Sequence, residues 1–118
     1  MGLTVGGYLQ EAEAALDWLQ RNQLDNGAWL SSYGSEEPSL NRIETNFVAY
    51  PSVGLWHFYL VTGKKEVLTR YWPTIREAIN FVLGHQCQSG EITWESGKDI
   101  SSKPDALVTG NSSIYKSI

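Results

Sequence analysis

The sequence predicts an all-α fold made of two copies of a helix pair. The pattern of residues 15–27, which includes Gln23 and Gly27, recurs 63 positions later with Gln86 and Gly90. Apolar residues recur at every third or fourth position through most of the chain, as on one face of a helix, and no segment keeps the alternation of a strand. Self-similarity at a long period indicates an array of like units.

The first copy, about residues 8–63, contains two predicted helices joined by a polar loop at residues 31–41. The first helix spans about Tyr8–Gln23 and has one apolar stripe, so we expect it on the outside. The second spans about Glu44–Thr62 and ends at Gly63. It is apolar nearly all round, which predicts an inner helix buried between other helices.

The second copy, about residues 64–118, repeats this order and stops partway through its inner helix, so the chain is expected to form one helical module over 1–118. Pro73 interrupts its first helical pattern, because proline removes a backbone donor and clashes with the preceding turn. The elements predicted here are a short helix at Lys65–Tyr71, a longer one at Pro73–Gln86, a polar loop at 95–104 and an inner helix at Leu107–Ile118.

Composition excludes several classes of protein. The net charge is −4 and Lys and Arg form no run, which argues against a nucleic-acid partner. The longest apolar run, Val53–Val61, is too short to span a bilayer, so a soluble, cytoplasmic protein is expected. Cys87 has no second cysteine to pair with, and its neighbour His85 does not complete a zinc-ligand pattern. We therefore expect neither a metal nor another cofactor.

A repeat signature closes each copy. It has the form Gln23-x-x-x-Gly27-x-Trp29 in the first copy, and Gln86, Gly90 and Trp94 form a degraded version in the second. With the segments at 44–50 and 109–117, this signature resembles bacterial prenyltransferase-like proteins and terpene cyclases of the squalene-hopene type. The resemblance covers nearly the whole chain. It implies an (α/α) toroid, here a partial ring of about two repeats, whose complete form would bind an isoprenoid or similar apolar substrate.

Two other interpretations stay open, because the Asp-x-Asp-Asp acid motif of the cyclases is absent. A carbohydrate-active six-hairpin glycosidase would share the ring architecture and would use paired carboxylates instead. A non-catalytic helical-repeat interaction module would bind a partner. Whether the complete ring is cyclase-like or glycosidase-like, we expect the isolated chain to be inactive.

The candidate site residues are polar and aromatic side chains on the predicted inner helices. In a toroid, one end of every inner helix lies at the rim of the funnel, and side chains there could bind hydroxyls or a diphosphate, although helix capping would also explain them. The candidates for catalysis are Glu44, as a general acid, and His57. The candidates for substrate binding are Asn46, Tyr50, Trp56, Asn111, Ser112 and Tyr115.

The second and last predicted helices leave an assembly problem. Both are apolar on most sides, and the last has no following helix to cover it. Exposed apolar surface of this kind usually marks an interface. We therefore expect self-association, for example as a ring in which three copies supply six hairpins.

Overall fold

The computed structural model describes residues 1–33, 42–96 and 105–118, so most of the two predicted polar loops, at 34–41 and 97–104, lies outside the described residues. The described chain is mostly helical, which confirms the all-α prediction. Its elements in order are α1 (Gly2–Val5), α2 (Leu9–Asn22), β1 (Ile43–Glu44), α3 (Thr45–Thr62), α4 (Lys65–Leu83), β2 (Glu95–Ser96) and α5 (Val108–Ser117).

Two apolar clusters hold these helices together. One contains Ala12 and Leu16 of α2 with Leu55 and Phe58 of α3, and includes Tyr71 of α4. The other joins α3, α4 and α5 beneath the turns that follow α2 and α4; its largest members are Trp29, Val48, Val82, Ile92 and Ile114. Helices α3 and α4 contribute to both clusters, and α3, which also contacts α1, α2 and α5, is the central element of the described chain.

The prediction that Pro73 splits the third helical segment is wrong. Helix α4 continues from Lys65 to Leu83 with Pro73 inside it. Pro73 is exposed, while Tyr71, Thr74 and Ile75 beside it are buried. The carbonyl that proline leaves without a helical partner can therefore bond to water, and the contacts of the buried face keep the chain helical through Pro73.

The expectation that α3 is enclosed on all sides is also wrong for the described residues. One broad side of α3 is exposed and largely apolar, although the opposite side supplies the buried Val48, Leu55 and Phe58. The exposed large side chains on α3 are Phe47, Tyr50, Trp56, Leu60 and Val61. Helix α3 thus has more apolar surface than its neighbours in the described chain cover. No described helix is long and apolar enough to cross a membrane.

The repeat signature forms a clasp at the end of each outer helix. The Gln23 amide donates hydrogen bonds to the carbonyls of Gly27 and Thr74, both at 2.8 Å, so it joins the turn to the next outer helix. The Gln86 amide donates to Gly90 in the same way, also at 2.8 Å. Trp29 is buried, and its indole N–H donates to the carbonyl of Leu19 at 2.8 Å. These contacts are structural, as expected of a signature that closes each repeat.

Helices α3 and α5 lie side by side and run in the same direction. The Ser52 hydroxyl donates to the carbonyl of Ser117 at 2.6 Å, and Ile114 shares a buried cluster with Val48 and Ala49. Ser52 and Ser117 are 65 positions apart, which is the separation of the repeat on the inner helices. The contact between α3 and α5 thus joins two serines at equivalent positions of the sequence repeat.

Candidate functional site

Both inner helices begin at the same end of the molecule. Strands β1 and β2, which immediately precede α3 and lie ahead of α5, pair antiparallel, with Ile43 opposite Ser96 and Glu44 opposite Glu95. The backbone N–H of Thr45 also donates to the carbonyl of Trp94 at 3.0 Å. The long connections meet at this end, whereas only Gly63 and Lys64 join α3 to α4 at the other. Long loops on a rigid scaffold are where binding residues concentrate.

Glu44 occupies the junction between β1 and α3. It is the N-cap residue of α3, is half-buried, and makes no side-chain capping bond. Its backbone is held by the β1–β2 pairing on one side and by α3 on the other.

Three of the predicted site residues share one face of α3. Asn46, Tyr50 and His57 are separated by four and seven positions, which places them in line along the helix. Tyr50 is 46% exposed, and Asn46 and His57 are half-buried. This line, here called the polar path, runs down the exposed side of α3 and is interrupted by Val53 and Gly54 between Tyr50 and His57, while Glu44 precedes it as the N-cap residue.

Two side-chain atoms in this path are buried without a hydrogen-bond partner in the described structure. They are the Asn46 carbonyl oxygen and Nδ1 of His57, and the Ser31 hydroxyl is a third such atom in the chain. Buried polar atoms are almost always hydrogen-bonded, and an unpaired one costs about 1–3 kcal/mol. Because both atoms are enclosed, they can bond to a ligand only after the Asn46 and His57 side chains or their neighbours move.

The predicted residues on α5 behave differently from those on α3. The Asn111 amide group bonds to both the N–H and the carbonyl of Ile92, at 2.7 and 2.9 Å, so it holds the turn after α4. The Ser112 hydroxyl donates to the carbonyl of Val108 at 2.8 Å. Tyr115 is 84% exposed. Asn111 therefore has a structural task, and Tyr115 is the α5 candidate that is most open to a ligand.

Asn111, Ser112 and Tyr115 line an open groove of about 810 Å³ together with Glu91 and Lys116. Glu91 was not among the site residues predicted from the sequence. Its position in the turn Ser89-Gly90-Glu91 is the signal in the sequence that could have indicated it. The Ser89 hydroxyl donates to the Glu91 carboxylate at 2.8 Å, and this hydrogen bond lowers the pKa of Glu91. Glu91 is thus an ionised acceptor at the edge of this groove.

Trp56 lies away from these residues. It lines a separate cleft of about 500 Å³ between α3, α4 and the end of α5, together with Trp72. The structure therefore places Asn46, Tyr50 and His57 on one face of α3, with Glu44 at the start of that helix, and Asn111, Ser112 and Tyr115 in one groove. It does not bring Trp56 to either. Within the described ranges, no three His, Cys, Asp or Glu side chains are grouped so that they could hold a metal ion.

Comparison with known proteins gives one informative relative. No protein-family model matches the chain. The chain is 37% identical over 118 residues to the MMP endo-(1,4)-3-O-methyl-alpha-D-mannosidase of Mycolicibacterium hassiacum. The match includes all of this chain and 33% of that protein, so the chain spans about a third of the length of this curated relative.

This relative corrects the resemblance to prenyltransferases and terpene cyclases, which is wrong: the protein that matches the whole chain is named as a glycosidase. The physical reason for the error lies in the clasp. Gln23 and Trp29 bond to backbone carbonyls of the fold and leave no polar group for chemistry. A purely structural signature can occur in rings with different activities, and an isoprenoid substrate has no support.

Proposed function

We propose that this chain forms two hairpins of an (α/α) toroid that hydrolyses α-mannosidic bonds in a partly methylated mannose oligosaccharide. The observation that carries the proposal is the 37% identity to the Mycolicibacterium hassiacum mannosidase across the entire chain. The glycosidase was the alternative that the sequence left open.

The toroid is supported by the repeated arrangement of the described helices. The outer helices α2 and α4 end in the same glutamine clasp, and the inner helices α3 and α5 run in the same direction, 65 positions apart. We propose that the repeats span about residues 8–63 and 64–118. In such a ring the exposed side of α3 faces the central funnel, and the paired starts of α3 and α5 form part of its rim.

We assign Glu44 as one of the two carboxylates that glycoside hydrolysis requires. It lies at the rim, its backbone is fixed by β1, and it precedes the polar path of Asn46, Tyr50 and His57. Rotation of the half-buried Asn46 and His57 side chains would let their unpaired atoms bond to sugar hydroxyls, while Tyr50 would pack its ring against a sugar face. The apolar flanks of this path, including Phe47 and Leu60, suit a sugar that carries methyl groups.

A chimera tests this assignment. The matching segment of the Mycolicibacterium hassiacum mannosidase is replaced by this chain, and cleavage of an oligosaccharide of α-(1,4)-linked 3-O-methylmannose is measured. We expect activity, and we expect Glu44→Gln to lower kcat by about 100-fold or more, as for removal of a general acid or base. The matched control is Glu11→Gln, an exposed carboxylate in the first turn of α2.

Folding of the chimera is followed separately by its melting transition. A chimera that melts cooperatively but does not cleave the oligosaccharide would contradict the proposed function. Cleavage that is equally fast with and without Glu44→Gln would remove Glu44 from the mechanism. The isolated chain should be inactive in the same assay, since it supplies only part of the proposed ring.

A further inference from the structure

Trp94 lies outside the clasp to which the repeat signature assigns it. The hydrogen bond of the clasp recurs after 63 positions, from Gln23 in the first copy to Gln86 in the second. Ile92 follows Trp29 by the same 63 positions, and the two side chains are 4% and 6% exposed in one apolar cluster. Ile92 therefore fills the place of Trp29, and Trp94 has no part in closing the repeat.

Trp94 occupies the position that Ser31 has in the first copy. The N–H of Ser31 donates to the carbonyl of Arg42 at 2.8 Å, and the N–H of Trp94 donates to the carbonyl of Asp105, also at 2.8 Å. The two donors are 63 positions apart, and so are the two acceptors. Because the first copy has a small side chain here, the repeat itself does not require an indole.

The backbone of Trp94 is fixed from both sides. Its N–H is bonded to Asp105, ahead of α5, while its carbonyl accepts the N–H and the hydroxyl of Thr45 at 3.0 and 3.1 Å. Thr45 is the first residue of α3 and is fully buried. Trp94 thus lies between the segments that lead into the two inner helices, with parts of both copies on either side of it.

The indole ring of Trp94 is half-buried and lies next to Arg42, whose guanidinium carbon is 6.0 Å from the ring centroid. Glu44 follows Arg42 by two positions along extended backbone, so the two side chains project to the same side of β1. The attraction between cation and ring holds the indole towards that side. None of the described residues accepts a hydrogen bond from its N–H, whereas the indole of Trp29 donates to Leu19.

We infer that the Trp94 indole binds one sugar ring of the methylated mannose oligosaccharide beside Glu44, by stacking against the apolar face of that ring and its O-methyl group. The inference rests on the proposed function, which supplies the sugar. A half-buried indole on a fixed backbone offers a rigid apolar surface together with one hydrogen-bond donor. A partly methylated sugar presents the matching combination of methyl groups and hydroxyls.

A titration of this chain with an oligosaccharide of α-(1,4)-linked 3-O-methylmannose tests the inference without any cleavage. The five tryptophans give separate indole N–H signals in a ¹H–¹⁵N NMR spectrum, each assigned by substitution with phenylalanine. We expect the Trp94 signal to shift saturably, and the signals of the half-exposed Trp18 and the buried Trp29 to stay in place.

The matched control ligand is the α-(1,4)-linked mannose oligosaccharide without methyl groups, for which we expect a severalfold higher Kd at Trp94. A Trp94 signal that stays in place with the methylated ligand would overturn the inference. Equal shifts and equal Kd values with both ligands would also overturn it, because the O-methyl group would then not contact the indole.

The chimera provides a second measurement. Trp94→Ala should raise KM about tenfold and leave kcat within about twofold, as for loss of one aromatic contact, and Trp94→Phe should restore most of the affinity. Trp18→Ala is the matched control. If Trp94 only stabilised the fold, Trp94→Ala would lower the melting temperature without a selective rise in KM, and this result would contradict the inference.

The two proposals fail in different ways. A folded chimera that does not cleave the oligosaccharide, although the ligand shifts the Trp94 signal, would contradict hydrolysis and leave the sugar contact standing. Cleavage that depends on Glu44 but has an unchanged KM in Trp94→Ala would overturn the sugar contact and leave hydrolysis standing.

Discussion

At the residue scale, the two clasp glycines have the same backbone conformation and different surroundings. Gly27 and Gly90 have φ values of +88° and +103°, a region that side chains other than glycine rarely adopt. A Cβ atom on Gly27 would lie 2.4 Å from the carbonyl oxygen of Glu77, whereas a Cβ atom on Gly90 would meet no atom within 4 Å. Gly27 is thus required both by its turn and by the close approach of α4.

This difference predicts the stability of two matched variants. Gly90→Ala should lower the free energy of unfolding by about 1–2 kcal/mol, the cost of the left-handed conformation. Gly27→Ala should cost at least about 1 kcal/mol more, since the backbone of Glu77 must also move. Urea denaturation of both variants measures the difference. Equal losses would show that α4 does not approach the turn as closely as described here.

At the scale of the helices, the outer pair α2 and α4 is joined by a polar network around Tyr71. The Tyr71 hydroxyl donates to the Asp17 carboxylate at 2.5 Å, and Arg70 bonds to the same oxygen at 2.8 Å. Burial of Tyr71 and its hydrogen bond to Asp17 raise the pKa of Tyr71 to about 12. A single phenol thus connects the apolar cluster beneath the outer helices to the ion pairs on their surface.

The raised pKa makes stability depend on alkaline pH. Because folding raises the pKa of Tyr71 above its unfolded value of 10.0, the stabilisation is complete below pH 10 and declines as the pH rises towards 12. Between pH 8 and pH 11 we expect the chain to lose about 1 kcal/mol through this group. Unfolding by urea at both pH values measures the loss, and Tyr71→Phe should reduce it. The same loss in Tyr71→Phe would assign it to other groups.

At the scale of the whole molecule, the apolar surface of the chain exceeds what its own helices cover. The side of α3 that carries Phe47, Leu60 and Val61 is exposed, and so is the cleft at Trp56 and Trp72. Contiguous apolar surface on a protein is usually covered by a partner. In the proposed toroid, further repeats and the substrate would cover it.

We therefore expect the isolated chain to self-associate as its concentration rises. Sedimentation at increasing concentration should show a rising mean mass, and Leu60→Lys together with Val61→Lys should reduce it, because charge disfavours burial of that face. Glu66→Lys, on the exposed side of α4, is the matched control. A chain that stays monomeric throughout, at every concentration tested, would contradict the expectation.

The sequence by itself determined the helical class, the repeat and the ends of most helices. Hydrophobic periodicity and glycine are local signals, and so the bounds of α2 and the end of α3 at Gly63 agree with the prediction. The clasp residues were also recognisable, because part of their task is local: Gln23 and Gln86 each bond to a glycine four residues away, although the bond from Gln23 to Thr74 of α4 appears only in the tertiary structure. What the sequence misjudged was the activity associated with that clasp.

Only the tertiary structure decided the features that depend on which other residues, if any, pack against a given side chain. Pro73 remains within α4 because its side of the helix is exposed. Asn111 is occupied by Ile92, while its counterpart Asn46 keeps an unpaired oxygen, although both share one place in the repeat. Trp56 lies in a cleft away from the polar path. Periodicity gives the face of a helix on which a residue lies, but the neighbour across that face is set by packing between segments distant in sequence.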